Sequence, residues 1–576
     1  MLPPAKADML AHIDGGGPAP PRRAQAIMFL FNHTDGPQCL RAEVVPPPSP
    51  TYYKPINYTK HTPHIHIHSR PGSTQEYNGV DALLSEAFKV LDPIVAEVNG
   101  GYRFNDCEDK CLTWYDSSPR GMVRAERKCW FAIQRKVEGL YLHPLGLEVR
   151  VRGGVTEEDY RFSTFNPRTD TEPHLPPGGR PGPRQYEPAG KRYDVNGKHV
   201  SWLLLVPGSD CPDTATYFDF SHLWDGHEVQ INENSVCVFE MDMGLPLRRH
   251  HQHHTRPKFA ASIKTYALVV RSISTVYNYD YQWDHVFYTD GTIEVKVQAF
   301  GYLQTVRYEV DPYSYKLSPD AAGTLHDHVV HWKVDLDIAG QSNSVMRSTI
   351  VVRTYVWDVG MKGIGGKRLV RSMAETEHNA TLFINPNTPT RMAVVNEDAL
   401  NARGNPRGYC IDHKTFTYPL IPDDAWIMET ANFMKYHVAV TAHKDDEPTS
   451  TTIFDQATPK EPVVRFEDYI DGDSVRRQDV VAWVSAGTWH IPVAEDAPNT
   501  PSTAHAVGFV LRPFNYFDED AALHTREVTI IRNDFETMEA AVVDTGMMAP
   551  RDCVPHAGLT AHAAVDSFDS PTDDYK

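Results

Sequence analysis

The sequence predicts small α+β modules followed by a large antiparallel β-sandwich, and three observations carry that expectation. Near residue 190 helical periodicity gives way to short β-rich runs punctuated by Gly, Pro and Asp. A hairpin signal, Val286-Phe287-Tyr288 and Thr292-Ile293-Glu294-Val295 around Asp290-Gly291, lies within the later part. Between the two regions, Asn166 to Gly190 carries prolines at 167, 173, 176, 177, 181, 183 and 188, which reads as a domain boundary. At 576 residues the chain is too long for one simple domain.

In chain order, residues 1–25 are Pro/Gly-rich and read as a mobile start. A strand-like run covers Ala24 to Val45. After it comes the alternation His64-Ile65-His66-Ile67-His68, which reads as a solvated strand face before it reads as a metal site. Asn78 to Pro93 predicts a helix, because Leu83, Leu84, Ala87, Phe88 and Leu91 repeat at helical spacing and Pro93 stops it. Trp130–Val137 and Gly146–Val151 predict strands of the same module. The expected organisation is 1–75, 76–165 (α+β), the linker 166–190, the sandwich 191–555 and a disordered tail 556–576. Thr349–Trp357, His437–Thr441 and Asp479–Val484 are expected sandwich strands.

Composition narrows the function. Hydrophobic residues make up 41%, enough for real cores. With 56 Lys+Arg against 75 Asp+Glu the net charge is −19, which argues against a nucleic-acid partner and is compatible with a cationic small molecule. Apolar runs such as Ala26–Phe31 are too short to span a bilayer, and no secretory leader is legible at the N-terminus. The eight cysteines form no CxxC pair.

Several chemistries drop out. HExxH, GxSxG and Walker motifs are absent from the sequence. Gly363-Ile364-Gly365-Gly366-Lys367 lacks phosphate-loop spacing and reads as a surface turn. His250-His251-Gln252-His253-His254 reads as a polar loop. What survives is His326-Asp327-His328 on a strand-like run, where both imidazoles face one way, with His490 as a third ligand from another strand. Three imidazoles suit Cu(II), or Zn(II) with one water.

The segment Thr275-Val276-Tyr277-Asn278-Tyr279-Asp280-Tyr281 resembles the TxxNY(D/E) signature of the copper amine oxidases, with the HxH pair and the lone His in that family's order. Asp210-Cys211-Pro212, Gly244-Leu245-Pro246-Leu247 and His490-Ile491-Pro492 with Glu495-Asp496-Ala497-Pro498-Asn499-Thr500 extend the likeness. Upstream, Cys107 to Cys111 and Asp116 to Gly121 resemble animal diamine oxidases.

The resemblance implies oxidative deamination of primary amines, and of diamines such as putrescine or histamine in particular, to aldehyde, ammonia and H2O2, with O2 as oxidant. It implies copper(II) on His326, His328 and His490, and topaquinone made from Tyr279, the ring with which the amine condenses. It implies Asp116, Val276, Tyr277 and Asn278 at the substrate. Structural calcium is implied at Asp335, Leu336, Asp337, Asp479 and Val480, and at Glu377, Tyr469, Asp471 and Asp473. Disulfides are implied for Cys211 with Cys237 and for Cys107 and Cys111, with Cys553 bridging subunits of a secreted homodimer. One departure stands out. The family's proton-accepting Asp, in a segment before the equivalent of Cys211, has no counterpart: Trp202 runs into Leu203 where tens of residues are expected. Asp194 sits on another strand and is not assigned the role. A further gap follows Phe162, and the N-terminal domain is largely missing. The alternatives are an incomplete gene model or a catalytically silent metal-binding paralogue, with a zinc hydrolase a distant third.

Overall fold

A computed structural model describes residues 5–20, 24–30, 38–45, 52–55, 65–117, 121, 123, 127–136, 144–152 and 205–544. Within these it omits 71, 73, 206–207, 225–227, 253–258, 309–314, 319–320, 356–363, 504, 525–527 and 534–539. The expected linker, the Trp202–Leu203 junction, Cys553 and the tail lie outside the described residues. The chain divides into two compact units, each discontinuous in sequence. The first comprises Met1–Gly178, Ser274–Trp283 and Glu294–Asp518, and the second Gly179–Ile273, Asp284–Ile293 and Glu519–Lys576.

The first unit opens with a helix, α1 (Lys6–Ile13), where composition suggested a mobile start. The eight residues KADMLAHI contain neither Gly nor Pro and place Asp8 at the positive end of the helix. The strand-like run resolves into two strands, Ala24–Leu30 and Gln38–Val45. The His64–His68 alternation is not one strand: Ile65–His66 is followed at once by a 3₁₀ turn, Ile67–Ser69.

Helix α2 (Thr74–Val98) runs past Pro93 rather than ending there. Pro93 and Lys89 are exposed, so the carbonyl that loses its amide partner faces water. The buried stripe Leu84, Phe88 and Val95 packs on Leu112, Ile133, Leu147 and Val149. Those side chains belong to a three-stranded antiparallel sheet of β1 (Leu112–Ser117), β2 (Lys128–Arg135) and β3 (Pro144–Arg152).

The same unit contains a sandwich. One layer carries residues 279–283 of β4 (Tyr279–Tyr288) and 294–301 of β5 (Ile293–Gly301), with Ala506–Phe514 beside β5. The other layer orders β6 (His326–Asp335), β8 (Val480–His490), β7 (Val438–Ala442) and Thr381–Leu382. Between them lie Val297, Ala486 and Val507 with Trp283 and Trp332, the latter edge-on to Phe509 at 5.2 Å. Strand β8 is buried almost throughout, as its run VVAWVSAG requires when both faces are covered. Gly365–Lys367 belongs to the strand Ile364–Ala374, paired with Arg353 and its neighbours, and is not a surface turn.

The second unit is an antiparallel array of Thr216–Trp224, Glu228–Gln252 and residues 259–273 of the strand Phe259–Val276. Cys211 and Cys237 form a disulfide there, as Cys107 and Cys111 do in the first unit. Arg271 donates to Asp284 at 2.7 and 2.9 Å. The histidines at 250 and 251 end a strand instead of forming a loop. The Asp290-Gly291 turn closes as expected, with the Tyr288 N–H donating to the Thr292 carbonyl at 2.9 Å.

Candidate metal centre

Ladder register creates the histidine cluster. Strands β6 and β8 pair antiparallel with His326 directly opposite His490, and His328 follows two residues later on the same face. Ring centroids lie 4.6 Å apart for His326–His490, 5.0 Å for His326–His328 and 5.5 Å for His328–His490. The ligand nitrogens of the three fall within 4.8 Å of one another.

Tyr279 enters from the opposite layer. Tyr277 and Asn278 form a tight turn into β4, with Tyr277 in the left-handed region at φ 57°. Asn278 is clamped on both sides: its Nδ2 donates to the Tyr302 carbonyl at 2.7 Å, and the Tyr302 N–H donates to the Asn278 carbonyl at 2.9 Å. Gly301 (φ 126°) permits this approach, because a Cβ there would lie 2.4 Å from the Asn278 carbonyl oxygen. The clamp delivers a buried phenol whose oxygen is 3.1 Å from His326 Nε2 and 3.0 Å from His490 Nδ1.

Each imidazole also has a polar neighbour at its other nitrogen. His326 Nδ1 donates to the Thr324 carbonyl at 2.9 Å, Tyr281 Oη lies 3.2 Å from His328 Nδ1, and His490 Nε2 lies 3.1 Å from Asp496. The Thr324 carbonyl can only accept, so His326 carries its proton on Nδ1 and presents the Nε2 lone pair inward, the tautomer a metal requires; Tyr281 and Asp496 stand at the outer nitrogens of the other two. Burial lowers His328 to about 3, helped by the neighbouring imidazoles, and lowers His490 to about 4 against the pull of Asp496. Burial pushes the Tyr279 phenol well above the usual tyrosine range and Tyr281 up to about 12. A preorganised three-nitrogen set, with His328 and His490 kept neutral by burial beside a protonated phenol, fits copper.

A cleft of about 730 Å3 reaches Tyr279. Asp116, Val276, Tyr277 and Asn278, all expected at a substrate, line it together. Tyr77 on α2 donates to Asp116 at 3.3 Å.

The acidic sets behave differently. Asp335, Asp337 and Asp479 converge, and the Lys6 ammonium of α1 sits among them at 2.7, 2.8 and 2.6 Å. Glu377, Asp471 and Asp473 also converge, with Lys444 at 3.0 and 2.8 Å from the two aspartates. Glu377 accepts backbone N–H groups from Ala442, Asp471, Gly472 and Asp473, which occupies both its oxygens. Tyr469 is a core residue whose hydroxyl donates to the Thr449 carbonyl.

Three residues at the centre are not among those expected from sequence. Tyr281 was findable, since period two puts it on the face of Tyr279. Asp496 and His505 were not. His505 is buried, with its ring 3.8 Å from that of His490, and neither spacing nor residue type signals it.

A family model described as the copper amine oxidase enzyme domain matches residues 188–532. The copper-containing diamine oxidase of Mus musculus is 29% identical over 652 aligned residues, covering 92% of this chain and 86% of that protein. The copper-containing amine oxidase 3 of Mus musculus is 30% identical over 665, covering 97% and 86%. The crystal structure of Pichia pastoris lysyl oxidase superposes with a TM-score of 0.81 at 22% identity, covering 95% of this chain and 89% of that one, a likeness of fold.

Proposed function

The chain belongs to the copper amine oxidase family and is a primary-amine oxidase, and from that premise we propose that it oxidises diamines at the Tyr279 cleft. The carrying observation is the convergence of His326, His328 and His490 on one another, with the Tyr279 hydroxyl against His326 and His490. These three histidines would hold copper(II), and Tyr279 would be the precursor of topaquinone. Together copper and the quinone supply the electron sink and the reaction with O2.

The chain's own residues do the positioning. Asn278, Tyr302 and Gly301 fix where the Tyr279 ring lies. Thr324 holds His326 in its metal-binding tautomer, and Tyr281 and Asp496 stand at the outer nitrogens of His328 and His490. Val276 and Tyr277 wall the cleft, and Asp116, half-buried within it, takes the distal ammonium of a diamine. The test of the whole reading is copper loading of metal-free protein in air. A visible quinone band should develop at a stoichiometry of one per chain, followed by amine-dependent H2O2 release. A copper-loaded protein that stays colourless would refute it.

Selectivity follows from Asp116. A charge-assisted hydrogen bond contributes roughly 1.5–3 kcal/mol, about ten- to a hundredfold. Asp116→Ala should therefore raise KM for putrescine or histamine by about that factor and affect benzylamine far less. Equal losses for all three would remove Asp116 from the substrate site.

Four further readings complete the proposal. Calcium binds at Asp335, Asp337 and Asp479 with the carbonyls of Leu336 and Val480, in competition with Lys6; the carboxylate convergence supports this. The second set, at Glu377, Tyr469, Asp471 and Asp473, is the weaker because Glu377 is already satisfied by backbone amides. The protein is an extracellular homodimer bridged at Cys553; its two disulfides support an oxidising compartment. No helix among the described residues is long and apolar enough to cross a membrane. Finally, the segment carrying the family's proton-accepting Asp is missing between Trp202 and Leu203. In support, the alignment to the mouse diamine oxidase spans 652 positions, more than the 576 residues of the chain, so stretches of that relative have no counterpart here.

A further inference from the structure

The cleft holds a second carboxylate that neither the metal centre nor Asp116 accounts for. Asp81 lies one helical turn after Tyr77 on α2, so both project from the same face. Trp114 precedes Asp116 by two residues on β1, so those two also share a face. The four side chains form one assembly. Tyr77 donates to Asp116 at 3.3 Å, and the Trp114 indole N–H donates to Asp81 at 2.9 Å. The Tyr77 and Trp114 rings stack on each other, with centroids 5.8 Å apart and an interplanar angle of 30°. Trp114 is in turn held edge-on by Phe131 at 5.1 Å. A stacked aromatic pair thus carries one carboxylate on each partner.

Exposure orders the groups. Tyr279 is buried, Asp116 is intermediate and Asp81 is exposed, so of the two carboxylates Asp81 is the more open to solvent. Among the described residues lining the cleft none is Lys or Arg, while Tyr77, Trp114, Tyr115, Tyr277 and Tyr302 supply aromatic walls. Such walls pack methylene chains and attract ammonium groups through their ring faces. A ligand matched to this lining is unbranched and flexible, with cationic nitrogens separated by short methylene runs.

We propose that Asp81 is a second ammonium-binding carboxylate, which gives the cleft a preference for linear polyamines bearing a third nitrogen over simple diamines. The inference rests on the reading of this cleft as the amine site. Asp116 takes the middle nitrogen and Asp81 the outermost one.

The test separates the charge of Asp81 from its hydrogen bond. Asp81→Asn keeps an oxygen acceptor for Trp114 and removes only the charge. Binding is measured calorimetrically in the full-length Tyr279→Phe protein, which cannot turn substrate over, with spermidine and putrescine as probes. Asp81→Asn should lower the ratio of spermidine to putrescine affinity about three- to tenfold at low ionic strength. Added salt should shrink that difference, because an exposed pair is screened. An unchanged ratio, with Asp116→Asn still weakening putrescine, overturns the role of Asp81 alone. Affinities indifferent to both substitutions overturn this inference together with the amine-site reading. Steady-state KM values in the quinone-bearing enzyme should show the same change in ratio.

Discussion

Tyr279→Phe is expected to bind copper normally and to form no quinone. The group removed is the phenol oxygen that lies 3.1 and 3.0 Å from His326 Nε2 and His490 Nδ1. The imidazoles keep their orientation without it, because Thr324, Tyr281 and Asp496 hold them from outside the cluster. Metal content should therefore stay near that of the native protein, while the visible band and amine-dependent H2O2 are lost completely. The loss of one buried hydroxyl costs about 1 kcal/mol of stability, too little to unfold a domain. A His490→Ala comparison should likewise lack quinone but with reduced copper. A normal quinone stain in Tyr279→Phe would remove Tyr279 from its assigned role.

The chain as written is expected to be a slow oxidase, and restoring a family segment between Trp202 and Leu203 should accelerate it. General-base catalysis typically contributes about 10²–10⁴-fold. Among the described residues that line the cleft the carboxylates are Asp81 and Asp116, and both are assigned above to substrate ammonium groups. Copper binding and quinone formation should occur in either version, since His326, His328, His490 and Tyr279 all lie outside the segment proposed to be missing. The measurements are quinone content and kcat on the same preparations. Equal quinone with a rate gain of two to four orders of magnitude on insertion is the expected result. Ordinary turnover by the unmodified chain would mean that another carboxylate serves as base. Absent quinone in both versions would favour the silent, metal-binding alternative.

Much of the site was legible because its chemistry is written in local strings. Tyr279 within TVYNYDY, and His326 and His328 two apart, are short-range patterns whose strand context fixes which way the side chains face. The antiparallel sandwich was legible for the same reason: alternation, turn residues and the Asp290-Gly291 hairpin are all local. Local signals also misled. Pro93 reads as a helix stop, yet Leu84, Phe88 and Val95 bury one continuous stripe, and burial of that stripe outweighs one hydrogen bond lost on the wet side. Lys6–Ile13 reads as part of a mobile start, yet it folds as a helix whose Lys6 finds three carboxylates more than 300 residues away.

By itself, then, the sequence determined the fold class, the family and the order of Tyr279 and the three histidines of the candidate site. Pairings between distant segments were decided only in three dimensions. The β6–β8 register sets His326 against His490, and the clamp of Gly301 and Tyr302 on Asn278 aims the phenol at them. The approach of α2 to β1 places Asp81 beside Asp116 through the Tyr77–Trp114 stack. The physical reason is range. Periodicity and turn chemistry act over a few residues, whereas register, ring stacking and ion capture depend on which surfaces the core brings together, and no short window of sequence encodes that choice.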